Sequence, residues 1–369
     1  MFSEEHLYSI ALRKCSQIGD ITFRRLVATL GSAESVWKES PGILAKISGV
    51  RRDIFQDIGS AGPLVFADQE LRFCEKNGIE ILLRHQHQLP YFLNECDDAP
   101  AILYRKGTYT PNLSPVSMVG TRKMTPYGKT FIEEFLQAVA ENMIITVSGL
   151  AHGVDTQVHQ SSLDNRIPTI AVLAHGFHRI YPAVNRRLAH NILENGGALY
   201  TEFNSSDEPD REHFLQRNRI IAGISRKLIV VETAFGGGSM STATYANSYN
   251  RDVYALPGKI TDKYSQGSNQ LIFQNKAAAI STIGGLVNML DLQRPKPKME
   301  ELFPRSEIRI HLTEEQDLIY QIILKKPNIT IDELAEKSGM PTFKILPIIL
   351  DLEMSQYIRS LSGRQFSVL

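Results

Sequence analysis

Eight short apolar runs, most of the later ones separated by amphipathic helical stretches, constrain this chain more than any other feature. They fall at residues 80–84, 101–104, 116–119, 144–147, 169–173, 198–201, 228–231 and 253–255, with helical patterns such as 131–141 and 185–194 between them. Short runs of this kind, β-branched and apolar, read as strands buried on both faces. Their alternation with helices predicts a mostly parallel sheet covered on both sides, an extended Rossmann-like α/β fold. Ligands of such sheets bind beyond the carboxyl ends of the strands. The loops there are where chemistry is expected.

Those loops repeat one theme. The run Leu228-Ile229-Val230-Val231 leads to Gly236-Gly237-Gly238 and then to Ser239, Ser241 and Thr242 at a helix start. Unshielded amides and the helix dipole favour an anion there. Just upstream stand Phe214 and the cluster Arg217-Asn218-Arg219. The run 116–119 is followed by Gly120-Thr121-Arg122-Lys123 and a helix start with Pro126 just inside it. After 144–147 come Ser148 and Gly149, with Asp155 at the next helix start; after 169–173 come His175, Gly176, Tyr181, Asn185, Arg186 and Arg187. One glycine turn between strand and helix is ordinary topology. Four successive strand ends offering glycine, hydroxyl and cation to one edge predict a phosphate site.

Composition narrows the partners. The 369 residues, 43% hydrophobic and 22% charged, suffice for two or three globular domains. No run of about eighteen apolar residues exists to span a membrane, and the start, MFSEEHLYSI, lacks the basic-then-apolar form of a signal peptide. A cytoplasmic protein with no membrane partner is expected. Cys15, Cys74 and Cys96 are widely separated and unlike a metal-ligand set, which suits buried thiols in a reducing compartment. Forty basic residues balance forty acidic ones, so a nucleic acid would need a local positive surface. Two acid-free stretches provide one: 166–190 holds four arginines and three histidines, and 213–231 holds three arginines and Lys227.

Competing chemistries fail on particular residues. A P-loop needs lysine after its last glycine, and none follows Gly238; the dinucleotide fingerprint GxGxxG is also absent. A nucleophile elbow fails at Ser241, which stands where the second glycine belongs. His175 and His178 have no Cys, Asp or Glu close in sequence to complete a metal set, so packing or phosphate contact is the expected role. Asp155 is expected to cap or to pair with arginine. Glu232, at the end of a buried strand, is expected to pair or to cap a loop amide.

Taken together, Val119-Gly120-Thr121-Arg122, Ser148-Gly149-Leu150-Ala151-x-Gly153-x-Asp155, Tyr181-Pro182-x-x-Asn185, Phe214-x-x-Arg217-Asn218-Arg219-Ile220-Ile221 and Gly238-Ser239-x-x-Thr242-Ala243 resemble the DNA-processing protein A family (DprA, also called Smf). Arg251-Asp252-Val253-x-Ala255-x-Pro257-Gly258 and Gly267-x-Asn269-x-Leu271-Ile272 continue the resemblance, which spans about residues 80–285. His152 departs from the arginine usual in the family, and Gly237 from a frequent serine. The resemblance implies a non-enzymatic protein that binds single-stranded DNA without sequence preference. It further implies protection of incoming strands during natural transformation, loading of the RecA recombinase and a homodimer. Residues expected at the DNA phosphates are Gly120, Thr121, Arg122, Lys123, Ser148, Gly149, Asn185, Phe214, Arg217, Asn218, Arg219, Gly238 and Ser239, with Phe177, Tyr181 or Phe214 as stacking faces. No catalytic residue, metal ligand or cofactor is expected. The alternative is a nucleotide-processing phosphoribohydrolase of the lysine-decarboxylase-like group, whose glycine loop is followed by a catalytic glutamate. Here no carboxylate follows the loop until Asp252.

The flanks complete the organisation. Residues 1–62 have helical apolar spacing, and the turns at Gly19 and Gly49 leave a helix-hairpin-helix or SAM-like domain and a protein-contact module both open, with no site assigned. The breakers Gly59 to Pro63 bound it, and 63–290 forms the Rossmann-like domain. Residues 291–312, rich in Pro and charge, are expected as a linker. Capping-box spacing at Thr313/Gln316 and Thr330/Glu333, a helix from Thr342 and a hairpin around Ser362-Gly363 predict a winged helix over 313–369. Its third helix offers only Lys344 against Asp351 and Glu353, and Pro347 interrupts it, which favours protein contact or structure over DNA reading.

Overall fold

A nine-stranded sheet carries the first of the two compact units, Met1–Pro295 and Lys296–Leu369, in the computed structural model. The structure describes residues 2–15, 17–292, 312–326, 328–355, 357–361 and 365–368. Helices α1 (Glu4–Lys14), α2 (Asp20–Leu30), α3 (Ala33–Lys38), α4 (Pro41–Ser48) and α5 (Ala61–Asn77) come first. The body then runs β1 (Ile79–Leu83), α6 (Tyr91–Asn94), β2 (Ile102–Gly107), β3 (Ser114–Val119), α7 (Pro126–Ala138), β4 (Ile144–Ser148), α8 (Val154–Asp164) and β5 (Thr169–Val172). It continues with α9 (Arg186–Glu194), β6 (Ala198–Thr201), α10 (Arg211–Ile224), β7 (Lys227–Val230), α11 (Gly238–Ser248), β8 (Asp252–Ala255), α12 (Gln266–Phe273), β9 (Ala278–Ala279) and α13 (Ile283–Leu290).

The strand order is β1-β2-β6-β5-β4-β3-β7-β8-β9. Pairings from β6 through β9 are parallel, and only β1–β2 and β2–β6 are antiparallel. Successive residues of a strand face opposite sides, and the cores follow. Leu228 and Val230 pack with Ile220, Ile221 and Ala243, while Ile229 and Val231 pack with Phe131, Phe135 and Leu286 on the other face. The chain builds β3 to β6 in one direction, then returns through α10 to place β7 on the far side of β3. That makes the β3/β7 boundary the topological switch point, where the crevice of such a sheet opens.

All eight expected strands are present with ends shifted by a few residues. Two features differ from the sequence reading. The two-residue β9 has no pattern long enough to read. Helix α5 starts inside the Gly59–Pro63 breaker stretch, because the first N–H groups of a helix have no intrahelical partner and Pro63 in the first turn costs none. The first helices share one core with α5, β1 and β2, including Ile10, Phe23, Trp37, Cys74, Ile81 and Tyr104. All three cysteines are buried and free.

The second unit contains α14 (Glu314–Lys325), β10 (Ile329–Thr330), α15 (Ile331–Ser338), α16 (Thr342–Met354), β11 (Ile358–Leu361) and β12 (Gln365–Val368), with sheet order β10-β12-β11. This is a winged helix. Both capping boxes form, at Thr313/Gln316 and Thr330/Glu333. Of the expected linker, 293–311 lies outside the described residues, as does the hairpin turn 362–364. Among the described residues no helix is long and apolar enough to cross a membrane.

Candidate nucleic-acid interface

At the switch point the loops after β3 and β7 and the side of α10 enclose a cleft of about 750 Å³. The loop after β3 is clamped from below. Thr121 N donates to the Glu232 carbonyl at 2.6 Å, and Val154 N donates to the Thr121 carbonyl at 3.1 Å. A side chain at Gly120 would place its Cβ 2.5 Å from Val154 and 2.9 Å from the Glu232 carbonyl, so only glycine lets these layers meet. The buried Glu232 carboxylate accepts from Thr125 N at 2.9 Å and from Thr125 Oγ1. Glu232 thus caps a loop amide at the start of α7. Among the described residues no group of three or more His, Cys, Asp or Glu could hold a metal.

The opposite wall is the first turn of α11. Its leading amides lack intrahelical acceptors and sit at the positive end of the helix dipole. Asn218 Nδ2 holds the turn in place by donating to the Gly238 carbonyl at 3.2 Å and to Ser241 Oγ at 3.0 Å. Ser239 is 8% exposed, lines the cleft, and its Oγ has no partner among the described residues. A buried hydroxyl without a partner is costly. An anion at the helix terminus would satisfy it.

Four arginines line the cleft, in different states. Arg217 is buried, 4% exposed, and donates to the Gly149 carbonyl at 2.7 Å and to the Val172 carbonyl. Burial lowers its pKa to about 10, with Asp155 opposing the shift and the Arg122 charge adding to it. Asp155 is buried too and accepts from Ala151 N at 3.3 Å. A Cβ at Gly149 would lie 2.7 Å from the Arg217 guanidinium, so a larger residue there would displace that side chain. Arg122 is exposed and stacks over the Phe214 ring at 4.9 Å. Arg211 is exposed at the start of α10. Neither Arg122 nor Arg211 has a carboxylate partner among the described residues. Arg179 pairs with Glu208.

Phe214 is the hub of the exposed surface. Besides Arg122 it has the Arg217 guanidinium 5.8 Å and the Tyr181 ring 6.0 Å from its centroid. Tyr181, 45% exposed, is positioned by a buried histidine. His175 Nδ1 donates to the Gly176 carbonyl at 2.8 Å, which leaves Nε2 to accept from Tyr181 N at 3.1 Å. That arrangement requires a neutral ring, and burial lowers the His175 pKa accordingly. His178 lies between the Ser205 carbonyl and Glu208. Phe177 packs into the core.

Of the residues expected at the DNA phosphates, the cleft brings together Gly120, Thr121, Arg122, Phe214, Arg217, Asn218, Gly238 and Ser239, and the expected stacking face Tyr181 lines it too. Lys123, Ser148, Gly149, Asn185 and Arg219 are not among its lining residues. Arg219 lies two residues beyond Arg217 on α10 and so points to another side of the helix. It pairs there with Glu202 and, at 3.4 Å, with Asp20. Ser148 is inside the sheet and donates to the Met118 carbonyl at 2.7 Å. Asn185 is buried and clips the loop after β4, with Nδ2 2.8 Å from the Leu150 carbonyl and 2.9 Å from Thr156 Oγ1. Gly149 lies behind Arg217, and Lys123 is exposed at the rim with its amide on Thr121 Oγ1. Arg211 and Ile221 were missed, although 211, 214, 217, 218 and 221 follow the spacing of one helix face.

Beneath the site, His159 on α8 is fully buried, with Nδ1 2.7 Å from Thr169 Oγ1. Burial, with the Arg217 charge adding, pushes its pKa down to about 3. The unfolded chain binds a proton here below about pH 6.5 while the folded chain does not. Stability is therefore full above about pH 6.5 and is lost as pH falls below it, by up to about 1.4 kcal/mol per pH unit from this residue. His175 adds in the same direction. Urea midpoints measured at about pH 7.5 and about pH 5 should drop less in His159→Gln than in the parent chain.

An α/β body with a cleft of arginines and glycine loops at its switch point, followed by a winged helix, defines a two-unit Rossmann-like class of protein. The sequence model for DNA recombination-mediator protein A matches residues 80–291, and that for the DprA winged helix domain matches residues 304–364. The chain belongs to the DNA recombination-mediator protein A family, as its motifs implied. Among its relatives, Protein Smf of Synechocystis is 31% identical over 290 residues, covering 76% of this chain and 72% of that protein. DNA processing protein DprA of Streptococcus pneumoniae is 39% identical over 184 residues, 50% of this chain and 64% of that one. The X-ray structure of the S. pneumoniae protein covers 78% of this chain and 98% of its own at 29% identity and a TM-score of 0.65. A structure describing the single-stranded DNA binding mode of DNA processing protein A from Helicobacter pylori covers 57% of this chain and 95% of its own, at 28% identity and a TM-score of 0.52.

Proposed function

We propose that this chain binds single-stranded DNA in the cleft without sequence preference, and that it protects incoming strands and loads the RecA recombinase during DNA uptake, as a cytoplasmic homodimer. The observation that carries the DNA reading is the exposed Arg122–Phe214–Tyr181 cluster facing the first turn of α11 and its unpartnered Ser239 hydroxyl. Cations and amides bind phosphate, and the aromatic rings take any base, so affinity needs no base-edge readout. The reported single-stranded DNA binding of the H. pylori relative supports the same partner. RecA loading, the dimer and the cellular setting rest on family membership.

We read the protein as a binder, not an enzyme. Glu232, the acid at the end of the strand before the glycine loop, is engaged by Thr125. A phosphoribohydrolase would need a free carboxylate after that loop, and none follows until Asp252. Titration of single-stranded oligonucleotides, with nucleotide turnover assayed in the same samples, tests both halves of this reading. Tight binding without released base or phosphate is expected. Turnover abolished by Glu232→Gln with folding unchanged would sink it.

Among the described residues, those that line the cleft all lie between Val119 and Thr242. Deleting the chain from Asp291 onward should therefore leave single-strand affinity within about tenfold of the full chain, or ~1.4 kcal/mol. A larger loss would make the winged helix part of the DNA site.

A further inference from the structure

Among the described residues, Arg179 is the one cleft arginine that is paired with an exposed acid. Its guanidinium bonds the Glu208 carboxylate, whose other oxygen lies 3.1 Å from His178 Nε2. Both side chains of the pair face solvent, Arg179 being 47% and Glu208 61% exposed. A close contact between two loops brings the acid there. The loops after β5 and β6 are joined by Gly176 N donating to the Asp207 carbonyl at 2.9 Å and His178 N donating to the Ser205 carbonyl at 3.1 Å. A Cβ at Gly176 would overlap the Asn204 and Ser205 carbonyl oxygens, so glycine lets these backbones meet. The buried Glu70 carboxylate anchors the second loop, accepting from Ser205 N at 2.7 Å and from Ser205 Oγ at 2.6 Å. The backbone that carries Glu208 is thereby held, and the two side chains are what can part.

We propose that Glu208 is a built-in competitor for the DNA phosphate at Arg179, and that a bound strand displaces it. The inference rests on the reading of the cleft as a single-strand site. Arg179 lines that cleft with Tyr181, and Glu208 is joined to Pro209 and Asp210, which line it too. A guanidinium takes carboxylate and phosphate through the same parallel pair of N–H bonds, so one anion can replace the other with the arginine in place. An exposed ion pair adds little net stability, so the exchange costs little. Arg122 and Arg211 have no carboxylate to give up, which makes Arg179 the contact whose use is conditional. The pair holds affinity below what the cations of the cleft could reach and eases release of the strand. Asp210 supplies the contrast. It is exposed just before α10 and lines the cleft, yet it has no ion-pair partner among the described residues.

Fluorescence anisotropy of the full chain with labelled oligothymidine tests this. Glu208→Gln should tighten binding by about two- to fivefold, the range of an exposed ion pair, and the gain should vanish when Arg179→Ala is added. Arg179→Ala by itself should therefore cost less affinity than it does alongside Glu208→Gln. Asp210→Asn removes the same charge from the cleft without releasing an arginine, so its effect should be equal with and without Arg179→Ala. Glu208→Asp, one methylene shorter, should shift affinity in the same direction as Glu208→Gln, and urea unfolding checks that each variant folds. A gain of equal size with and without Arg179 would reduce Glu208 to general repulsion of the strand, and it overturns the proposal. So does a Glu208→Gln variant that binds no more tightly than the parent, which would leave the pair as a tie between loops. Arg122→Ala in the same series separates the proposal from the reading beneath it. Affinity that falls with Arg122→Ala but does not rise with Glu208→Gln sinks the competitor alone, whereas no binding, or no effect of Arg122→Ala, sinks both.

Discussion

Arg217→Met should cost the first unit about 3–5 kcal/mol, since each of two buried carbonyls left without a donor costs about 1–3 kcal/mol. The guanidinium closes the ends of two strands by bonding the carbonyls of Gly149 and Val172, and it sits beside the buried Asp155. Methionine fills the volume but leaves both carbonyls without their donor. It also leaves a carboxyl whose pKa burial raises, with less of the Arg217 charge that pulls it back down. A loss of this size lowers the melting temperature by roughly 5–8 °C for a unit spanning Met1–Pro295. Single-strand affinity should fall as a consequence, because the floor of the cleft loosens. Unchanged melting with lost affinity would instead move Arg217 to a direct DNA contact.

Phe214→Ala carries the second large effect, on binding with little on folding. The ring is only partly buried, yet it supports Arg122 at 4.9 Å and meets Tyr181 at 6.0 Å. Base stacking on such a ring is worth about 1–3 kcal/mol, so affinity for every single-stranded sequence should drop by roughly 5- to 150-fold. Its dependence on salt should stay the same, since no charge is removed. Arg122→Ala should behave oppositely, with a smaller loss in affinity and a salt slope flatter by about 0.7. Fluorescence anisotropy with labelled oligothymidine separates the two. A Phe214→Ala variant that binds normally would remove the aromatic hub from the site.

The strands were legible because each is a short apolar run whose two faces are both buried, which leaves little ambiguity between helix and strand once the helices between them are seen. The position of the cleft was legible for the same reason: parallel order puts the glycine loops at one edge. What each polar residue does there was less so. Arg217 and Arg219 read as one cluster in sequence, but the helix turns them to different sides, one under the cleft and one into a network with Glu202 and Asp20. Glu232 finds its partner in Thr125, far away in sequence, and His175 finds its partner in a backbone amide, so neither pairing has a sequence signature. Asn185 and Ser148 look like phosphate ligands by type and position, yet both are consumed by carbonyls inside the body. Arg211 could have been found, since it precedes Phe214 by three residues on a helix whose cleft face continues to Ile221.

The proposed function requires the cleft to hold single-stranded DNA by phosphate contact and stacking. A salt-series titration of the full chain with single-stranded and duplex oligonucleotides of matched sequence, repeated with Arg122→Ala, tests it most directly. Single strands should bind more tightly than duplex and without regard to sequence, log affinity should fall linearly with log salt, and the slope should be flatter by about 0.7 in the variant. Equal affinity for duplex, or a slope and affinity that Arg122→Ala leaves unchanged, would contradict it.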